Sequence, residues 1–116
     1  MLLNFAPDAK AMLFKQTSTG FTALHESLFY QEVAAVRLIL SRLPTIQEKE
    51  RIMTIRAKSG NTVLHTAARS GNNPEPIDML LDPLPTTLRK QLLSTVNDEG
   101  HTPKALATQY SHDNVV

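Results

Sequence analysis

Apolar residues line one side of a helix over residues 33–43, where Val33, Val36, Ile39, Leu40 and Leu43 recur at three- and four-residue steps. Ahead of it, Thr22 to Tyr30 reads as a shorter helix. Thr22 opens it, because a threonine hydroxyl can accept a bond from an orphaned backbone N–H. Behind it, Pro44 is followed by TIQEKERIMTIR, whose apolar members Ile46, Ile52, Met53 and Ile55 predict a third, short helix. The same three-part pattern then returns. Thr62 to Ser70 predicts a first helix, closed by Gly71 and Asn72. Pro74 and Pro76 fall in the opening turn of the second, where a missing N–H costs little, and Ile77, Met79, Leu80 and Leu81 carry its apolar content. Pro85 opens TTLRKQLLSTV, with Leu88, Leu92, Leu93 and Val96 on one side. The Leu-Pro-Thr shared by 43–45 and 84–86 marks the third helix as part of the unit. Pro7 to Lys15 predicts a further short helix, and Thr102 to about Tyr110 another first helix.

The pattern has a fixed period. Gly20, Gly60 and Gly100 stand 40 residues apart. The apolar pairs Met12-Leu13, Ile52-Met53 and Leu92-Leu93 each lie eight residues before one of them. Such a period is the mark of stacked repeats, none of which can bury its apolar face alone. The units are 20–59 and 60–99, preceded by 1–19 as the tail of an earlier repeat or an N-terminal cap, and followed by 100–116 as a partial or capping repeat. Asp113-Asn114-Val115-Val116 reads as the start of another second helix, so the chain is expected to be a piece of a longer array.

The second unit opens GNTVLHTAARSGN, the first GFTALHESL and the third GHTPKALAT. This wording resembles the first helix of an ankyrin repeat, G-x-T-P-L-H-x-A-A-x-x-G. Gly60, Thr62, Leu64, His65, Ala67, Ala68 and Gly71 match it in the second unit, Gly20, Thr22, Leu24 and His25 in the first, and Gly100, Thr102 and Pro103 in the third. Val63 and Ala23 stand where proline is usual, Ser27 and Leu28 replace the alanine pair, and Lys104 and Ala105 replace Leu and His. An ankyrin unit usually runs 33 residues, and the third helix accounts for the excess. The resemblance covers roughly residues 15–116. It implies an all-α helical solenoid of helix pairs, each with a third short helix. HEAT and armadillo solenoids have a period near 40, but the T-x-L-H spacing argues against them.

Composition narrows the function. Hydrophobic residues make up 41% and charged residues 20%, an ordinary globular balance. A formal net charge of +1 is no footprint for nucleic acid and no polybasic contact for a membrane. With no cysteine, disulfides and thiolate metal sites are excluded. No apolar run approaches the roughly 20 residues that span a bilayer, and residues 1–16 lack a secretory pattern. There is no G-x-S-x-G, H-E-x-x-H, Walker or G-x-G-x-x-G motif, so neither catalysis nor a cofactor is expected.

His25 and His65 are assigned a structural role. In T-x-x-H the hydroxyl and imidazole lie one turn apart on a helix face and can bond each other and the neighbouring loop. Equivalent residues on stacked helices lie about 8–10 Å apart, too far for both to ligate a metal at about 2.0–2.1 Å. No metal site is expected. The resemblance implies a protein-binding module using the turn tips and the open side of the first helices. Carried over residue by residue, the candidate contacts are Phe21, Glu26, Phe29 and Tyr30 in the first unit, with Ser18 and Thr19 beside them. The second unit offers Lys58, Asn61, Thr66 and Arg69, with Ser59 and Ser70, and the third His101, with Asp98 and Glu99. The partner is expected to be a protein, bound by a monomeric, cytoplasmic chain. The alternative is the targeting portion of a larger enzyme or a secreted bacterial effector, acting in the host cytosol.

Overall fold

The computed structural model describes residues 11–70 and 75–109. Among them are seven α-helices and no strand: α1 Ala23–Phe29, α2 Val33–Ser41, α3 Ile46–Thr54, α4 Val63–Ser70, α5 Glu75–Leu81, α6 Thr86–Leu93 and α7 Pro103–Gln109. The all-α repeat expected from the periodicity is the architecture observed. α4 lies between α1 and α7, so the first helices of the three units form one layer; α2 packs on α1 and on α5, which starts a second layer. α3 packs on α4 and fills the corner between consecutive units. The result is elongated, 43 × 31 × 22 Å.

Burial explains why each helix forms. α1 buries Leu24 and Leu28, four residues apart, while Ala23 and Glu26 stay open. α4, enclosed on both sides, buries every residue from Val63 to Ala68. Val36, Ile39 and Leu40 of α2, Leu43 beyond it, Ile52 and Met53 of α3, and Ile77 and Leu80 of α5 complete one continuous core. α3 is opened by a reciprocal cap in which the Thr45 hydroxyl accepts from Glu48 N–H and the Glu48 carboxylate accepts from Thr45 N–H.

Several details differ from the sequence expectation. The shared Leu-Pro-Thr is out of structural register: Thr45 is the cap of α3, whereas Pro85 is the cap of α6 and offers no side-chain bond. Leu43 and Leu84 are both buried all the same. Ile46 and Val96, expected on apolar faces, are 37% and 45% exposed, because each lies at the outer end of its segment. The N-terminal helix is seen as a 3₁₀ turn over Ala11–Phe14, which turns Leu13 and Phe14 to the core and leaves Met12 exposed. The rest of that helix, the Gly71-Asn72 closure, Pro74, and the chain after Gln109 lie outside the described residues.

The units are joined by a ladder between their turns. Thr17 N–H donates to Phe21 O, Ala57 N–H to Asn61 O and Asn97 N–H to His101 O, closing three identical turns. Lys58 N–H then donates to Thr19 O, and Asp98 N–H to Ser59 O, tying each turn to the one before it. Gln16 Nε2 bridges Gly20 O and Arg56 O; one period later the Arg56 guanidinium bridges Gly60 O and Val96 O.

This packing can be tested at a leucine and at the turn glycines. Leu64 is 1% exposed, so Leu64→Ala is expected to lower unfolding free energy by roughly 2–5 kcal/mol in chemical denaturation. An unchanged midpoint would mean that Leu64 does not face the core. Gly60 and Gly100 share a left-handed backbone, at φ +75° and +81°. An added Cβ at Gly60 collides with Asp98, including its backbone N at 2.9 Å, whereas at Gly100 it meets nothing within 4 Å among the described residues. Gly100→Ala should therefore cost only the backbone strain, about 1–2 kcal/mol, and Gly60→Ala distinctly more. Equal losses in the two proteins would show that the turns do not press on each other.

Candidate binding surface

Exposed residues of the first helices and the turns include Glu26, Phe29, Lys58, Ser59, Arg69, Glu99 and Gln109. A groove of about 270 Å³ lies between the second and third units, lined by Ser59, Asn61, Arg69, Asn97, Glu99, Leu106 and Gln109. Its floor is set by a relay of side-chain amides. Asn97 Oδ1 accepts from Glu99 N–H and His101 N–H, which leaves its Nδ2 to donate to Asn61 Oδ1 at 2.8 Å. Asn61 is thereby oriented with its own N–H groups available to the groove.

In the first unit the corresponding surface is aromatic. The Phe21 ring stacks on His25 with centroids 5.4 Å apart, Phe29 meets Phe21 edge-on at 6.0 Å, and Tyr30 meets Phe29 at 5.1 Å. Phe29 and Tyr30 are exposed, and Phe21 is half-buried beneath them. Aromatic residues and arginine are enriched where interfaces concentrate their binding energy.

Of the expected contact residues, Glu26, Phe29, Tyr30, Lys58 and Arg69 are exposed, and Phe21, Asn61 and His101 half-buried. Thr66 is a correction. It is 4% exposed, its hydroxyl donates to Thr62 O, and α7 covers it, so it belongs to the helix packing and not to the open face. Its counterpart Glu26 is open because no preceding first helix lies against α1 among the described residues. Sequence reasoning missed Asn97 and Gln109 in the groove, and Gln16 and Arg56 in the ladder. The last pair was detectable, since the two residues lie 40 apart and hold the same place before their glycines.

The two core histidines are fully buried and make equivalent bonds. Nδ1 of His25 accepts from Thr22 N–H at 3.2 Å and from the Thr22 hydroxyl at 2.9 Å. Its Nε2 donates to Asn61 O at 3.3 Å. His65 repeats this with Thr62 N–H at 3.2 Å, the Thr62 hydroxyl at 2.9 Å and His101 O at 2.8 Å. Each imidazole thus holds its own helix start and reaches the turn of the next unit. In the third unit Ala105 replaces the histidine, and Thr102 caps Ala105 N–H alone. Among the described residues no group of three His, Cys, Asp or Glu could hold a metal, and no helix is long and apolar enough to cross a membrane.

Burial lowers the pKa of both histidines from the ordinary value, opposed by the carbonyls of Asn61 and His101; at His65 the nearby Arg56 charge lowers it further. The neutral ring is the folded form, so these groups contribute full stability above about pH 6.5. That contribution is lost as pH falls below this value, where the unfolded chain takes up protons that the folded chain refuses. The thermal midpoint is expected to fall from pH 7.5 to 5.5, and the slope to flatten in a His25→Gln, His65→Gln protein. The same slope in both proteins would refute this account.

A family model described as ankyrin repeat matches residues 59–89. The matched span holds α4, α5 and the first turn of α6, and ends where the additional helix of this 40-residue unit runs on. No curated protein matches the chain. Residues 59–89 are thus similar to an ankyrin repeat, in keeping with the resemblance carried by Gly60, Thr62, Leu64 and His65.

Proposed function

We propose that the chain is a protein-binding module whose partner lies across the open side of the first helices and the turn tips. The observation that carries this is the pairing of a polar groove with an exposed aromatic cluster on the same face. The groove is lined by Asn61, Arg69 and Glu99, and the cluster is Phe21, Phe29 and Tyr30. Ankyrin repeats bind protein partners, which supports the reading. Exposed aromatics carry apolar area that water solvates poorly, and a partner that covers them gains about 25 cal/mol per Å² of apolar surface buried. The buried histidines are scaffold, since both ring nitrogens of each are occupied within the fold. The Asp and Glu side chains form no catalytic constellation that the sequence motifs identify.

The test is affinity capture with this chain beside a Phe29→Ala, Tyr30→Ala, Arg69→Ala protein of matched thermal stability. Phe21 is left intact because it stacks on His25. A partner held by the native chain and lost by the variant is the expected outcome. Identical capture by both proteins would place the binding determinants away from this face.

A further inference from the structure

The three turns are identical in their closing bonds but not in their backbone shape. Gly20 N–H donates to Thr17 O, Gly60 N–H to Ala57 O and Gly100 N–H to Asn97 O, so each is a four-residue turn. In the middle turn the third residue, Ser59, has φ 71° and ψ 10°, while Lys58 before it is not left-handed. This is the type II form, whose third residue is ordinarily glycine. Thr19 and Glu99, the counterparts of Ser59, are not left-handed, as in the type I form.

One side chain accounts for the difference. In the first turn Thr17 Oγ1 accepts from Thr19 N–H at 3.3 Å and from Phe21 N–H at 3.2 Å. In the third, Asn97 Oδ1 accepts from Glu99 N–H and His101 N–H, both at 3.0 Å. Each acceptor holds the central peptide of its turn with the N–H inward. The middle turn has Ala57 at this place, and a methyl group accepts nothing. The imidazole that reaches the middle turn is also the more distant. His25 Nε2 lies 3.3 Å from Asn61 O, against 2.8 Å for His65 Nε2 and His101 O.

Types I and II differ in ψ of the second residue and φ of the third, each by roughly half a turn. Taken in opposite senses, the two rotations cancel outside the peptide that joins those residues, so that peptide turns over while its surroundings stay. In the middle turn its polar groups are Lys58 O and Ser59 N–H. Neither takes part in the closing bonds or the ladder, which use Ala57 N–H, Ala57 O, Lys58 N–H, Ser59 O, Gly60 N–H and Asn61 O. The peptide can therefore reverse without breaking any of them. Each form has one cost. The observed form places a serine in the left-handed region, against the preference of an L residue. The other lacks the side-chain acceptor that holds it in the flanking turns.

We propose that the middle turn is a two-state switch in which the Lys58–Ser59 peptide reverses within an intact stack. In the observed form Ser59 N–H points away from residue 57; in the other, Lys58 O takes that direction. Ser59 lines the groove between the second and third units, so the reversal turns a main-chain donor beside the groove into an acceptor. A group bound there selects one form by whether it accepts or donates. The proposal does not depend on the protein-binding reading, because the isolated chain already holds both forms.

The experiment is nitrogen–proton correlation NMR of the intact chain beside Ser59→Gly and Ala57→Asn proteins, each checked for a dispersed native spectrum. Ser59→Gly removes the cost of the observed form. Ala57→Asn supplies the acceptor seen at Asn97 and favours the other, shifting the ratio of forms by roughly two- to tenfold for one added hydrogen bond. If that protein does not fold, Ala57→Ser, which adds a single hydroxyl, takes its place. The amide signals of Thr19 and Asp98 border the turn and are unaltered by the substitutions. In the native chain they are expected to lie on the line between their positions in the two variants. Native signals that coincide with those of either variant would mean a single form and overturn the proposal. Signals off that line would overturn it too, since one two-state exchange would not describe the turn. The ladder amides of Lys58 and Asp98 are expected to stay protected from hydrogen exchange in all three proteins. Their loss of protection in the Ala57→Asn protein would show that reversal breaks the stack, and would overturn the proposal as well.

Discussion

The bond on which the stack depends runs from a buried imidazole to a backbone carbonyl in the next unit. His25 and His65 each accept at Nδ1 from the threonine that starts their own helix and donate at Nε2 to the turn ahead, at Asn61 O and His101 O. One side chain therefore settles both the start of a helix and the position of its neighbour. A polar group buried without a partner costs about 1–3 kcal/mol, so a misplaced turn is penalised at the imidazole, while the carbonyl keeps its bond within the turn. The left-handed glycines belong to the same device. Gly20 and Gly60 lack the Cβ that would push the following turn away, and the turn N–H groups of Lys58 and Asp98 close onto the preceding unit through that space.

In the third unit the device stops. Ala105 cannot reach forward, Lys104 takes a place where Leu24 and Leu64 are buried, and it is exposed. Nothing presses on Gly100 among the described residues. The local turn is still made, since Gly100 N–H donates to Asn97 O and Asn97 N–H to His101 O. Turn formation is thus separable from stacking: the glycine and its carbonyl partner shape the turn, and the histidine of the preceding unit anchors it.

Much of this was legible because the constraint repeats. A carbonyl that must be caught every 40 residues forces Thr, Leu and His into fixed places, and the three glycines and paired apolar residues expose the period. The illegible features lie at positions where neighbours decide the outcome. Thr66 and Glu26 hold the same place in the motif, yet one is buried and the other open, because among the described residues α4 alone has a first helix on both sides. The repeated Leu-Pro-Thr misled for a related reason. Its leucines are both buried, but a shift of one residue moves the threonine from the cap of α3 to inside α6, and identity of wording concealed a difference in capping. The amide relay from Asn97 to Asn61 was invisible, since a hydrogen bond between two units leaves no spacing in either one.

The same backbone bonds explain how this face can carry specificity without endangering the fold. Positions 21, 61 and 101 are occupied by Phe, Asn and His, three unrelated side chains, yet each carbonyl accepts the same turn bond, from Thr17, Ala57 and Asn97 respectively. Asn61 O and His101 O also accept the imidazole of the preceding unit. The fold uses the main chain in the same way at all three positions, while the side chains differ in what they touch: Phe21 packs on His25 and Asn61 accepts from Asn97. The position before each threonine can therefore be aromatic in one unit, an amide in the next and an imidazole in the third, with the turn unchanged. A change of side chain from one unit to the next at this position is what such a scaffold permits.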